Sequence, residues 1–129
     1  MVERSKDWMD QGERDLEQAR WSLKGGFYEW ACFIAQQAAE KPVKALYQRL
    51  HGDSWGHSLS TLLRSLPEGH RPEQGIIEAA MRLDRLYIQT RYPNGFDVGS
   101  PKDYFIGKDA EEALEDAARV VAYCKSKLP

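Results

Sequence analysis

The stretch FYEWACFIAQQAAEKPVKALYQRLHG, Phe27 to Gly52, decides the fold. Set at about 100° per residue, Phe27, Ala31, Cys32, Ile34, Ala35, Ala38, Ala39, Val43, Ala45, Leu46 and Leu50 fill one arc of about 180°. A surface helix needs little more than about 100° of apolar face, so this width predicts a central helix covered on two sides. The remaining arc holds Glu29, Gln36, Gln37, Glu40 and Lys44, with Phe33 and Tyr47 set among them. Such a stripe suits a partner or ligand, or else an ordinary wet edge. Pro42 lies within the run and deletes the bond from its own nitrogen to the carbonyl of Ala38. Because the apolar spacing continues in register from Val43 to Leu50, a kink is expected rather than two helices. The freed carbonyl either faces the polar stripe or is absorbed in the bend.

Upstream, Arg4 to Lys24 reads as a first helix, with Trp8, Met9, Gly12, Leu16, Ala19 and Leu23 on one narrow stripe. Trp21 falls outside it, a hint of a subunit contact. Gly25-Gly26 ends the helix, and so short a break turns the central helix back antiparallel. Downstream, His57 to Leu66 reads as a short helix with Leu59, Leu62, Leu63 and Leu66 inward. Glu73 to about Arg91 reads as one long helix. Ile76, Ala79, Ala80, Leu83, Leu86 and Tyr87 form one apolar sector of it, and Ile77, Met81 and Ile88 a second. Asp84 and Arg91 lie between the sectors, two turns or ~10 Å apart along the axis, which makes a direct ion pair awkward. Each therefore needs a partner on another helix, a water-filled cleft or a ligand. Tyr92 to Gly107 has no regular period, and Lys108 to Leu128 reads as a last amphipathic helix. No stretch alternates like a strand. The expected fold is all-α: an antiparallel bundle of about five helices, an up-and-down four-helix core plus a short helix.

At 129 residues the chain is expected to be one domain, residues 1–129. Its 42% hydrophobic and 29% charged residues are ordinary for a globular protein. A net charge of −2 provides no global field toward nucleic acid or acidic lipid. Cys32 and Cys124 suggest neither a disulfide framework nor a metal knuckle, and buried, reduced thiols are expected. The charged start is unlike a signal peptide and no apolar run reaches ~18 residues, so a cytoplasmic, non-membrane protein is expected.

Phosphate-binding loops of the GxxxxGK[ST] or GxGxxG type are absent. His51, His57 and His70 lack a matching ligand set, so no metal and no cofactor are expected. His57 heads the short helix after a glycine, where it helps cap the helix or serves a ligand.

Three segments in order, FYEWACFIAQQAAEKPVKAL, GHSLSTLL and RLDRLYIQTRYP, give the chain a resemblance to the HEPN domain family from Trp8 to Tyr123. The resemblance implies a bundle of about five helices, usually a homodimer, often encoded beside a minimal nucleotidyltransferase. It also implies either ribonuclease activity, frequently that of a toxin, or nucleotide binding. The ribonuclease branch carries an arginine followed, after four to six intervening residues, by a histidine. Arg91 is the matching arginine, and its qualifying positions hold Phe96, Asp97 and Val98. Without that histidine a proton shuttle is missing. Arg64 and His70 fit the spacing but belong to the loop before the fourth helix.

The resulting expectation is a non-catalytic module of a toxin–antitoxin-like system that binds a nucleotide, RNA or a nucleotidyltransferase partner. Asp84 and Arg91 would line a cleft against the central helix, with Glu40, Lys41 and Lys44 as neighbours, and His57 and Tyr92 beside them. Arg91 would grip phosphate, Tyr92 would offer a ring to a base, and Asp84 would steady the cations. The alternative is a ribonuclease toxin with a rearranged site, in which Arg91 is catalytic and works with a histidine from elsewhere.

Overall fold

The computed structural model describes residues 2–128. Helix α1 runs Ser5–Lys24, α2 Tyr28–Arg49, α3 Leu59–Arg64, α4 Gln74–Asp84, α5 Leu86–Gln89 and α6 Gly107–Ser126. Four long helices form the bundle, α3 is the short one and α5 is a single turn beyond α4. There is no strand among the described residues.

The Gly25-Gly26 pair makes the turn between α1 and α2, with Gly26 at φ +81°, a conformation that favours glycine. The two helices then run antiparallel, as the Arg4–Gln48 and Asp15–Lys41 contacts show. α2 stays one helix through Pro42, as the register of its apolar residues predicted. The freed Ala38 carbonyl does not face the polar stripe. It meets Gly12 of α1, at which an added Cβ would lie 3.1 Å from that oxygen and 2.5 Å from the Pro42 ring. Gly12 and Pro42 thus interlock at the α1–α2 crossing.

Alanines on α2, leucines on α3 and α4 and the Ala/Val face of α6 build one core. Ala31, Ala35, Ala38, Ala39, Val43 and Ala45 are inaccessible to solvent, as expected for a helix covered on two sides. Phe27 departs from its arc: it precedes the helix and is 59% exposed. The stripe on α2 is not a wet edge either. Gln36 is fully buried, and Tyr47 is buried with its hydroxyl donating to the Leu62 carbonyl at 2.7 Å.

The fourth segment is shorter than its periodicity suggested. The regular helix ends at Asp84, Arg85 forms a break, and α5 follows. Its second apolar sector is only partly covered, with Ile77 buried but Met81 and Ile88 exposed. Arg82 makes a bidentate pair with Asp116 of α6 at 2.8 and 2.9 Å. The segment after Thr90 is ordered by two 3-10 turns, Pro93–Gly95 and Pro101–Asp103, and by the stacked rings of Phe96 and Tyr104. Cys32 and Cys124 are buried free thiols. No helix is long and apolar enough to cross a membrane.

Candidate functional site

The chemistry gathers where the first half of α2 meets α5 and the loop before α3. Arg91 follows Thr90, the residue that closes the α5 turn, and curls back so that Nε donates to the Tyr87 carbonyl at 3.0 Å. Its guanidinium carbon lies 4.4 Å from the ring centre of Phe33, 4.7 Å from that of Tyr87 and 5.0 Å from that of Tyr92. Such stacking suits the weakly hydrated, delocalised guanidinium. No carboxylate pairs with it among the described residues, and its two terminal nitrogens make no hydrogen bond there. Trp30 packs edge-on against Phe33. A cleft of about 130 Å³ opens beside Arg91, walled by Glu29, Trp30, Thr90 and the loop residues Ser100 to Lys102.

His57 reaches the same ring system from the other side of the sequence. Its imidazole stacks on Tyr87, centres 4.3 Å apart and planes 17° from parallel. Its Nδ1 lies 3.0 and 3.1 Å from the two oxygens of Glu40. A carboxylate can only accept, so the ring carries a proton on Nδ1 and leaves Nε2 free. Glu40 is buried, and its charge is met by Lys44 at 3.2 Å and by the Gln36 amide at 3.0 Å. Gln37 in turn donates to Gln36 at 2.7 Å. Gln36, Gln37, Glu40 and Lys44 of the α2 stripe therefore form a satisfied network ending at a half-exposed histidine.

Several placements differ from the sequence reading. His57 does not cap α3; that role falls to Ser58, whose hydroxyl accepts from the Thr61 amide. Asp84 steadies no cation. Its carboxylate accepts from the Leu59 amide at 2.6 Å, the Ser60 amide at 3.2 Å and the hydroxyls of Ser60 and Ser58 at 2.6 and 3.2 Å. The free N–H groups of a helix start need such an acceptor, and the helix dipole favours an anion there. Lys41 turns away to α1, where it pairs with Asp15 at 2.5 Å, because the angular step from Glu40 carries it around the helix. Glu40, Lys44, His57, Arg91 and Tyr92 remain in one connected cluster, joined through Tyr87 and Phe33. The sequence places Phe33 in the polar stripe of α2 and Tyr87 in an apolar sector, with nothing to say that the two rings meet. The i,i+4 spacing of Tyr87 and Arg91 is the available signal of their contact. Lys102 is not legible at all, because it comes from an irregular loop.

The sequence profile of the HEPN domain matches residues 5–127. The chain belongs to the HEPN domain family. Its fold is that of solved relatives. A Thermus thermophilus protein, TT1696, is 41% identical with a TM-score of 0.95, over 98% of this chain and 100% of that one. ST0689, described as an archaeal HEPN homologue, is 40% identical with a TM-score of 0.84, over 99% and 100%. A HEPN domain protein of Thermotoga maritima is 34% identical with a TM-score of 0.77, over 95% and 97%. The chain is also 25% identical over 150 residues to "Putative toxin MJ1304" of Methanocaldococcus jannaschii, covering 98% of this HEPN chain and 90% of that protein.

Proposed function

We propose that this HEPN protein is a non-catalytic module of a toxin–antitoxin-like pair, binding a nucleotide, RNA or a nucleotidyltransferase partner through the Arg91 surface. The observation that carries this reading is the state of Arg91. It is half withdrawn from water, stacked among three rings and without a carboxylate, and its terminal donors are uncommitted. An arginine held this way is prepared for a bidentate anion, and phosphate fits its fork. Exposed rings at Trp30 and Tyr92 supply surfaces on which a base can stack. The likeness to "Putative toxin MJ1304" supports the toxin–antitoxin setting. The exposed aromatics Trp21 and Phe27 support a homodimer, as the family resemblance implies.

The test is binding of nucleotides and a labelled single-stranded RNA to purified protein and to Arg91→Ala. Loss of a charge-assisted phosphate contact should weaken binding by about 1–3 kcal/mol while melting changes little. Undetectable binding by the wild type, together with a clear loss of stability in the variant, would mark Arg91 as structural and end the proposal.

One observation favours the second reading, a ribonuclease with a rearranged centre: His57 shares the Tyr87 ring with Arg91 and is oriented by a buried carboxylate. Metal-independent RNA cleavage lost in both His57→Ala and Arg91→Ala would establish it in place of the first.

A further inference from the structure

Asp84 faces neither Arg91 nor any other cation among the described residues. All four of its hydrogen bonds go to the start of α3. With six residues, α3 is too short to hold itself in water, so its place is set by what its ends are tied to. His57 immediately precedes the tied residues. Tyr87, on which His57 stacks, lies three residues beyond Asp84, and Arg91 lies four beyond Tyr87. One carboxylate thus fastens the segment carrying the histidine to the segment carrying the ring and the arginine.

We propose that Asp84 is a positioning residue: by tying down the start of α3 it seats His57 between Tyr87 and Glu40, on the Arg91 surface, without touching a ligand itself. The proposal rests on the reading of the Arg91 surface as a ligand site, and it concerns how that surface is assembled. Hydrogen bonds to an ionised acceptor are the strong ones, and Asn in place of Asp would offer an amide where Ser60 now donates. His57 would then be held by Glu40 at its ring and by the Gln36 amide, which donates to its carbonyl at 3.4 Å.

The test uses the full chain, with proton NMR of the His57 and Tyr87 rings and binding of a fluorescein-labelled oligouridylate. In wild type the carbon-bound ring protons of His57 show cross-relaxation with Tyr87 and an upfield shift from its ring. Asp84→Asn should lose both signatures, keep the core resonances and bind oligouridylate about tenfold more weakly. Unchanged His57 signatures in folded Asp84→Asn would overturn the proposal. Weakened binding with those signatures intact would overturn it too, since Asp84 would then act on the ligand directly. If Asp84→Asn does not fold, Ser60→Ala removes a single hydroxyl donor to the same carboxylate; a partial loss of the upfield shift supports the proposal and no change refutes it. Failure of wild type to bind oligouridylate counts against the RNA reading alone, and the ring signatures still decide the role of Asp84.

Discussion

Gly12→Ala should destabilise this protein although it replaces glycine in a helix interior. On propensity alone the change is worth about 1 kcal/mol in favour of alanine. The crossing with α2 reverses the sign. An added Cβ would stand 2.5 Å from Cδ and 2.7 Å from Cγ of Pro42, whereas carbon atoms rest about 3.5–4.0 Å apart. A shift of about 1 Å is required, and the proline ring cannot rotate away because it is fused to the α2 backbone. The helices must separate instead, loosening the alanines around the crossing. Overpacking of this kind typically costs about 1–3 kcal/mol. Subtracting the propensity gain leaves a net loss of up to about 2 kcal/mol, or up to about 8 °C in melting temperature for a domain of this size. Urea unfolding followed by circular dichroism measures it. The stronger check is the cycle with Pro42→Ala, which opens the notch and restores a donor for the Ala38 carbonyl. In that background Gly12→Ala should lose most of its cost, giving a coupling above about 1 kcal/mol. Additive effects, or a Gly12→Ala protein more stable than wild type by the propensity gain, would refute the interlock.

Glu40→Gln should lower stability by roughly 3–5 kcal/mol in denaturant titration, because it strands the charge of Lys44, largely withdrawn from water. Burial pushes the Cys124 thiol up to about 12, and burial, with Asp109 and Glu29 adding to it, does the same for Cys32. Both thiols should resist a thiol reagent at neutral pH until the protein unfolds. For such raised groups the native state holds protons that the unfolded chain has released. Their contribution is therefore complete below the ordinary value of 9.0 and falls as pH climbs toward 12, with Tyr47 and Tyr123, also raised by burial, acting in the same direction. Melting temperatures across that window test the sign. Light scattering at tens of micromolar should give twice the chain mass of 14.8 kDa, and a monomer mass would count against the homodimer.

The bundle is legible because burial repeats along a helix with a period the sequence cannot disguise. The width of the α2 arc predicts cover on two sides, and its alanines are indeed inaccessible. Where that reasoning goes wrong, a tertiary partner outweighs the local pattern. Gly12 looks like one more stripe residue, yet it is where Pro42 is accommodated. Phe27 belongs to the apolar arc by angle, yet the chain enters α2 only after it. The fourth segment keeps its apolar spacing across Arg85, so nothing in its periodicity marks the break.

The site is less legible for a different reason. Angular position on a helix says which way a charge points, but not which loop comes to meet it. Asp84 reads as a charge embedded between apolar sectors and in need of a partner. Its partners are amides and hydroxyls at the start of another helix, a demand for an acceptor that a search for counter-ions overlooks. Glu40 and Lys44, four residues apart, do pair as spacing suggests, whereas Lys41 follows its own azimuth to Asp15. His57 requires both halves of the fold: a carboxylate from α2 to orient it and a ring from α5 to carry it. The consequence for Arg91 is that aromatic rings hold its guanidinium and no carboxylate pairs with it among the described residues, although Glu29 lines the cleft beside it. On the proposed reading, that is what leaves Arg91 for a ligand, whereas Arg82 is used up in its salt bridge with Asp116.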